Sequence, residues 1–194
     1  MVGGEEALIV RRGWHAAVLG ALLVPGGALA QRLETLGNCR DGLANGAFEL
    51  RMPNGQLRVA GAFAKGRRTG TFIFWNAAGA RVAVVPYDDN SKKGTVALWY
   101  PPAGARGEIA RKVGTPYSDG DMHGVVRAWH PDGSPRGEYR YANGTLVAAR
   151  AWTAGGASLT EAKARAQADR DAAQNEQYCA MLERLIADNE PRCD

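Results

Sequence analysis

One feature dominates this chain of 194 residues: it repeats itself every 24 residues. A fixed period of that length marks a chain built from small units that bury surface only against their neighbours. Gly46, Gly70, Gly94 and Gly124 open four units, spaced by 24, 24 and 30 residues. Five residues on stand Trp75, Trp99 and Trp129, with Arg51 in the first unit. Nine residues on come Gly55, Gly79 and Gly133, with Gly104 displaced by one. Eight further lie Phe63, Tyr87 and Tyr141, with Tyr117 displaced by five, and three beyond these Gly66, Asn90, Gly120 and Gly144. The six extra residues of the third unit fall in 101–116 and read as longer connections, and a fragment of a fifth unit follows at Ala148–Trp152.

Each unit reads as a β-hairpin. Pro53-Asn54-Gly55 and Pro131-Asp132-Gly133 are turn sequences, and Ala142-Asn143-Gly144 marks the second reversal. Between them lie segments of β-formers such as Thr71–Trp75 and Val82–Val85. A two-residue turn at positions eight and nine sets each opening glycine across from the returning Phe or Tyr, whose ring would shield the bare backbone. A three-residue turn would shift that pairing. The expected fold is mainly β: an elongated antiparallel meander of hairpins over 46–152, followed by a C-terminal helix and tail over 153–194. Twenty-five glycines without a three-residue period fit neither a helical bundle nor collagen.

The pattern Gly-x4-Trp-x3-Gly-x7-Tyr-x2-Gly-x3-Gly resembles the MORN repeat, in particular the bacterial variant of YwqK-type antitoxin proteins. Trp75, Gly79, Tyr87, Gly94 and Trp99 match it, as do Gly120, Gly124, Trp129, Gly133, Tyr141 and Gly144. The resemblance implies a ribbon of hairpins used for protein–protein contact, oligomerisation or scaffolding. The antitoxin label implies neutralising a toxin by binding it. Lipid binding proposed for the family finds no basic amphipathic helix here to carry it.

Residues 1–30 read as a signal peptide: Arg11-Arg12, the apolar run Trp14–Val24, a Pro-Gly-Gly break and Ala28-Leu29-Ala30 before Gln31. That run is too short for a stable membrane span, and general secretion or the twin-arginine route would place the chain in the periplasm or outside. Residues 31–45 then form an N-terminal segment. The net charge of +4 divides unevenly: residues 31–157 carry +7 and residues 158–190 carry −3, which suits docking of tail on repeats. No cationic run points to nucleic acid. Arg67-Arg68 and Lys92-Lys93, at corresponding turns, read as edge cations that deter aggregation. Of Cys39, Cys179 and Cys193, the candidate disulfide is Cys179 with Cys193, since Pro191 lets the chain fold back; Cys39 paired with either would staple the ends together.

Ser158-Leu159-Thr160-Glu161 is a capping-box start, and Pro191 marks the helix stop. Tyr178, Met181, Leu182, Leu185 and Ile186 form an apolar face expected to dock, while Ala162–Ala173 is expected to be largely exposed. The recurrent Trp75, Trp99, Trp129, Tyr87, Tyr117 and Tyr141 are the candidate partner-binding surface, against the alternative that they are internal packing. His123 and His130 lie near Asp119, Asp121 and Asp132, but seven residues apart on a strand they point to opposite sides. No nucleophile elbow or phosphate loop occurs. The expectation is therefore an exported, non-enzymatic protein-binding module with no cofactor or metal, whose partner is a toxin or an envelope component. The alternatives are self-association, an envelope scaffold or lipid/glycan-binding structural protein, and, distantly, a hydrolase using His123 and Asp121.

Overall fold

The computed structural model describes residues 32–101 and 110–193. The signal-peptide reading, and residues 102–109 of the long connection expected within 101–116, lie outside the described residues. Among the described residues, twelve strands form one open antiparallel sheet, and a single helix follows. They are β1 (Glu34–Arg40), β2 (Leu43–Arg51), β3 (Leu57–Ala64), β4 (Arg67–Trp75), β5 (Arg81–Asp88), β6 (Ser91–Lys92), β7 (Gly94–Trp99), β8 (Arg111–Ser118), β9 (Asp121–Met122), β10 (Gly124–Trp129), β11 (Pro135–Ala142), β12 (Thr145–Ala151) and α1 (Glu161–Ala187). Ten of them follow one another in chain order across the sheet, while β6 and β9 are two-residue returns beside β5 and β8. The expected meander of hairpins is therefore what the chain forms, and it begins upstream of the first repeat with β1.

Two kinds of reversal alternate. At one end of the hairpins the connection is a two-residue turn with both residues at positive φ, as in Lys65-Gly66 (51° and 77°) and Asn143-Gly144 (47° and 77°). Such turns match the right-handed twist of the flanking strands. At the other end the turn has three residues: Gly55 N–H donates to the Met52 carbonyl, Gly79 to Asn76 and Gly133 to His130. Only the glycine has positive φ there, so Asn54 and Asp132 serve differently from the sequence expectation. Their side chains accept the backbone N–H of Gln56 and Ser134, closing the turn.

The three-residue turn does not shift the pairing, because a bulge on each returning strand absorbs the extra residue. Gly46, Gly70, Gly94 and Gly124 thus face Phe63, Tyr87, Tyr117 and Tyr141 as expected.

α1 crosses one face of the sheet. Its 27 residues rise about 40 Å, close to the roughly 43 Å that ten strands at 4.8 Å spacing occupy. Arg165, in its first turns, donates to the Val147 carbonyl on β12, and just past its end the Asn189 carbonyl accepts from Thr35 on β1. Beneath it lies a core of Phe48, Phe63, Phe72, Phe74, Val85, Leu98, Val113 and Tyr139, all nearly sealed from solvent. The docking extends further along the helix than its apolar pattern predicts. Ala164 and Ala168 are buried, because a methyl group lets the helix backbone sit close over β11 and β12, whereas Met181 is exposed. The capping box does not form: Thr160 is the N-cap without a side-chain bond, and Ser158 instead bridges to Trp152.

Charge complementarity between repeats and tail is realised in ion pairs. Lys92 Nζ lies 2.8 Å from Glu176 and 3.5 Å from Glu183, Arg136 lies 2.7 Å from Asp171, and Arg68 lies 3.9 Å from Glu183. Burial pulls the Lys92 ammonium down, but the two glutamates outweigh it and hold its pKa above the ordinary value. The edge-cation reading is corrected accordingly. Arg68 and Lys92 turn to the helix, while Arg67 and Lys93 pair with Asp89 and Asp88 across the turns.

The candidate disulfide is also corrected. Cys193 bonds Cys39, and Cys179 is a buried free thiol. Beyond α1 the chain runs back over β1, where Pro191 packs on Gly37, and this carries Cys193 to the strand and away from the sheet-facing Cys179.

Candidate functional site

The six aromatics expected to form one surface divide between the two faces of the sheet. Tyr87, Tyr117 and Tyr141 lie on the face that α1 covers: Tyr87 and Tyr141 are buried and Tyr117 is half-buried. The Tyr87 hydroxyl donates to Glu183 (2.9 Å) and that of Tyr117 to Glu176 (3.2 Å). Burial, reinforced by those carboxylates, raises both phenol pKa values. These tyrosines fasten the helix and are not free to meet a partner.

Trp75, Trp99 and Trp129 lie on the other face. Side chains alternate along a strand, and each tryptophan follows a buried core residue: Phe74, Leu98 and Ala128. The turn chemistry decides what lies beside them. Because of the bulge, Arg81 stands opposite Trp75 and Arg111 opposite Trp99. Each guanidinium then reaches over the tryptophan of the next unit. Arg81 lies 4.3 Å from the Trp99 ring centroid and Arg111 lies 5.3 Å from that of Trp129. The result is an alternating ladder, Trp75–Arg81–Trp99–Arg111–Trp129, running across the strands. Stacking on the negative face of an indole is favourable by about 0.5–2 kcal/mol per pair. Arg111 also lies along Gly114, where its Nη2 would be 2.8 Å from an added Cβ.

The ladder has defined ends. In the first unit Arg51 stands in the tryptophan position and pairs with Glu49, and Leu57 stands in the arginine position. In the fifth unit Trp152 takes the tryptophan position: its N–H donates to the Arg136 carbonyl and it bridges to Ser158. The residue opposite Trp129 is Pro135 rather than an arginine. The neighbouring bulge residue, Arg136, turns to the opposite face and pairs with Asp171. Between Trp129 and Trp152 this leaves an open groove of about 610 Å3, whose walls include Arg127, Glu138 and Pro135.

The histidines converge on nothing. The His123 ring nitrogen Nδ1 lies 3.1 Å from Asn143 Oδ1 on an exposed turn, and His130 Nε2 lies 3.1 Å from the Trp152 carbonyl. Among the described residues no group of three His, Cys, Asp or Glu side chains is placed to hold a metal ion. Arg81 and Arg111 were absent from the candidate residues inferred from sequence. Both stand six or more residues after a repeat tryptophan, but the bulge that turns them onto the next indole leaves no mark in composition. Neither the protein-family models nor the curated proteins searched contain a match to this chain.

Proposed function

We propose that this chain is an exported, non-enzymatic binding module of MORN-like hairpin repeats whose docking surface for another protein is the tryptophan–arginine face. One observation carries the reading: the sheet is sealed on one face by α1, while on the other no strand or helix among the described residues lies over the ladder. Half-buried tryptophans interleaved with exposed arginines are the residue types that dominate binding hot spots. The Cys39–Cys193 bond supports an oxidising compartment, in keeping with the signal-peptide reading. The resemblance to YwqK-type antitoxins makes a toxin the first partner to seek.

The test is affinity capture from an envelope extract with chain 31–194 as bait, beside the Trp99→Ala/Trp129→Ala double variant. One near-stoichiometric protein is expected on the parent bait. The double variant is expected to lose it, by about a hundredfold in affinity, with its circular dichroism and melting cooperativity retained. A double variant that captures as well as the parent, or a bait that retains only lipid, glycan or itself, refutes the reading and favours an envelope structural role.

A further inference from the structure

We infer that the groove between Trp129 and Trp152 is a receptor for an arginine side chain presented by the partner protein. The inference deepens the proposed use of this face and rests on it. The repeat itself supplies the argument. At two successive steps the space beside a tryptophan is filled by an arginine of the same chain, Arg81 on Trp99 and Arg111 on Trp129. At the third step the backbone is the same: Trp129 pairs with Pro135 as Trp75 pairs with Arg81 and Trp99 with Arg111, each pair followed by one bulge residue. The side chain is not the same. Pro135 is too short to reach Trp152, and Arg136 is held on the opposite face by Asp171 at 2.7 Å and 3.2 Å. The indole of Trp152 therefore meets the groove without the guanidinium that Trp99 and Trp129 have, and no cation lies over it among the described residues.

A guanidinium suits the vacancy in shape and charge. It is planar, weakly hydrated and stacks on aromatic faces, which an ammonium does less well. Glu138 supplies a carboxylate at the groove wall; its present partner, Arg150, is a largely exposed side chain (71%) that can swing away when a second cation arrives. Arg127 on the same wall opposes a cation, so the site selects a guanidinium that is stacked and bidentate on Glu138 over a free point charge.

The test uses isotope-labelled chain 31–194 with its disulfide intact and follows the indole Nε1–H signals during titration with a short neutral peptide carrying one arginine. Peptides with citrulline or lysine at that place serve as comparisons. The arginine peptide is expected to shift Trp129 and Trp152 and to leave Trp75 unmoved, with citrulline binding at least about tenfold more weakly. Pro135→Arg writes the missing rung into the chain; it is expected to fill the groove, raise the melting temperature and abolish the shifts. Trp152→Ala removes one wall and is expected to abolish them as well. Equal binding of citrulline and arginine, or peptide shifts that persist in both variants, overturns the inference. Capture of a native partner that survives Pro135→Arg overturns the arginine receptor alone, whereas loss of capture only in the Trp99→Ala/Trp129→Ala variant leaves the wider reading of the face standing.

Discussion

Gly124 shows what a repeat position asks of a single residue. Its φ of 113° lies where L side chains are strained, and an added Cβ would sit 3.1 Å from the Pro116 ring on β8. Gly94 repeats the arrangement against Pro86 at 3.2 Å, whereas Gly70, at φ 68°, has open space where a Cβ would go. Gly124→Ala is therefore expected to cost about 1–3 kcal/mol, read as a fall in melting temperature. Gly70→Asn should cost less, since asparagine tolerates the left-handed region. Equal losses at the two positions would contradict this account. The period alone located these glycines and their aromatic partners correctly. It did not show what excludes a side chain there, which is the backbone conformation and, at Gly94 and Gly124, the neighbouring proline. The tryptophans were legible too, but their arginine partners were not, because stacking joins successive units through a bulge that the sequence does not spell out.

At the scale of the elements, the contact between α1 and the sheet was only half legible. The apolar stretch Tyr178–Ile186 announced itself by spacing, and the opposite charges of tail and repeats announced the ion pairs. The alanine half did not, since an alanine on an exposed helix and one pressed against a sheet look alike until the sheet is present. Cys179 sits in that contact, 3% exposed, and burial raises its thiol pKa from 9.0 to about 11. A group whose pKa is higher in the folded than in the unfolded state favours folding fully below the unfolded value, and that contribution is lost as pH climbs to the folded one. Stability is thus expected to hold to about pH 9 and to decline towards pH 11, joined at the upper end by the buried tyrosines whose pKa values are raised in the same sense. Urea titrations across that range measure the slope, and Cys179→Ala should flatten its lower part. The same burial predicts that an alkylating reagent at neutral pH modifies Cys179 only after unfolding. Rapid labelling of the native protein would show that the helix lifts from the sheet.

The described sheet is a row in which each strand pairs only with its neighbours, so its stability is not shared evenly. In such an array the terminal units fray first unless something holds them. β12 is held because the chain continues through Trp152–Ser158 into α1, whose first turns return to it. β1 pairs only with β2, and its other attachment is the tail: Thr35 to the Asn189 carbonyl, Pro191 over Gly37, and the Cys39–Cys193 bond. That bond spans 154 positions in sequence, so it constrains the unfolded chain strongly, and its loss is expected to cost about 2–4 kcal/mol. A purely unfolded-state effect would destabilise every part of the protein alike. A clamp on a fraying end predicts a gradient instead. In the reduced protein, or in Cys39→Ser, amides of Glu34–Arg40 should exchange with solvent much faster than before, those of β2 moderately so, and those of β7 to β10 only through global unfolding. Residue-resolved hydrogen exchange with and without reductant separates the two. A uniform loss of protection would assign the bond to the unfolded chain, whereas a gradient that dies away by the middle of the sheet would show the tail acting as the cap that a repeat array needs at its exposed end.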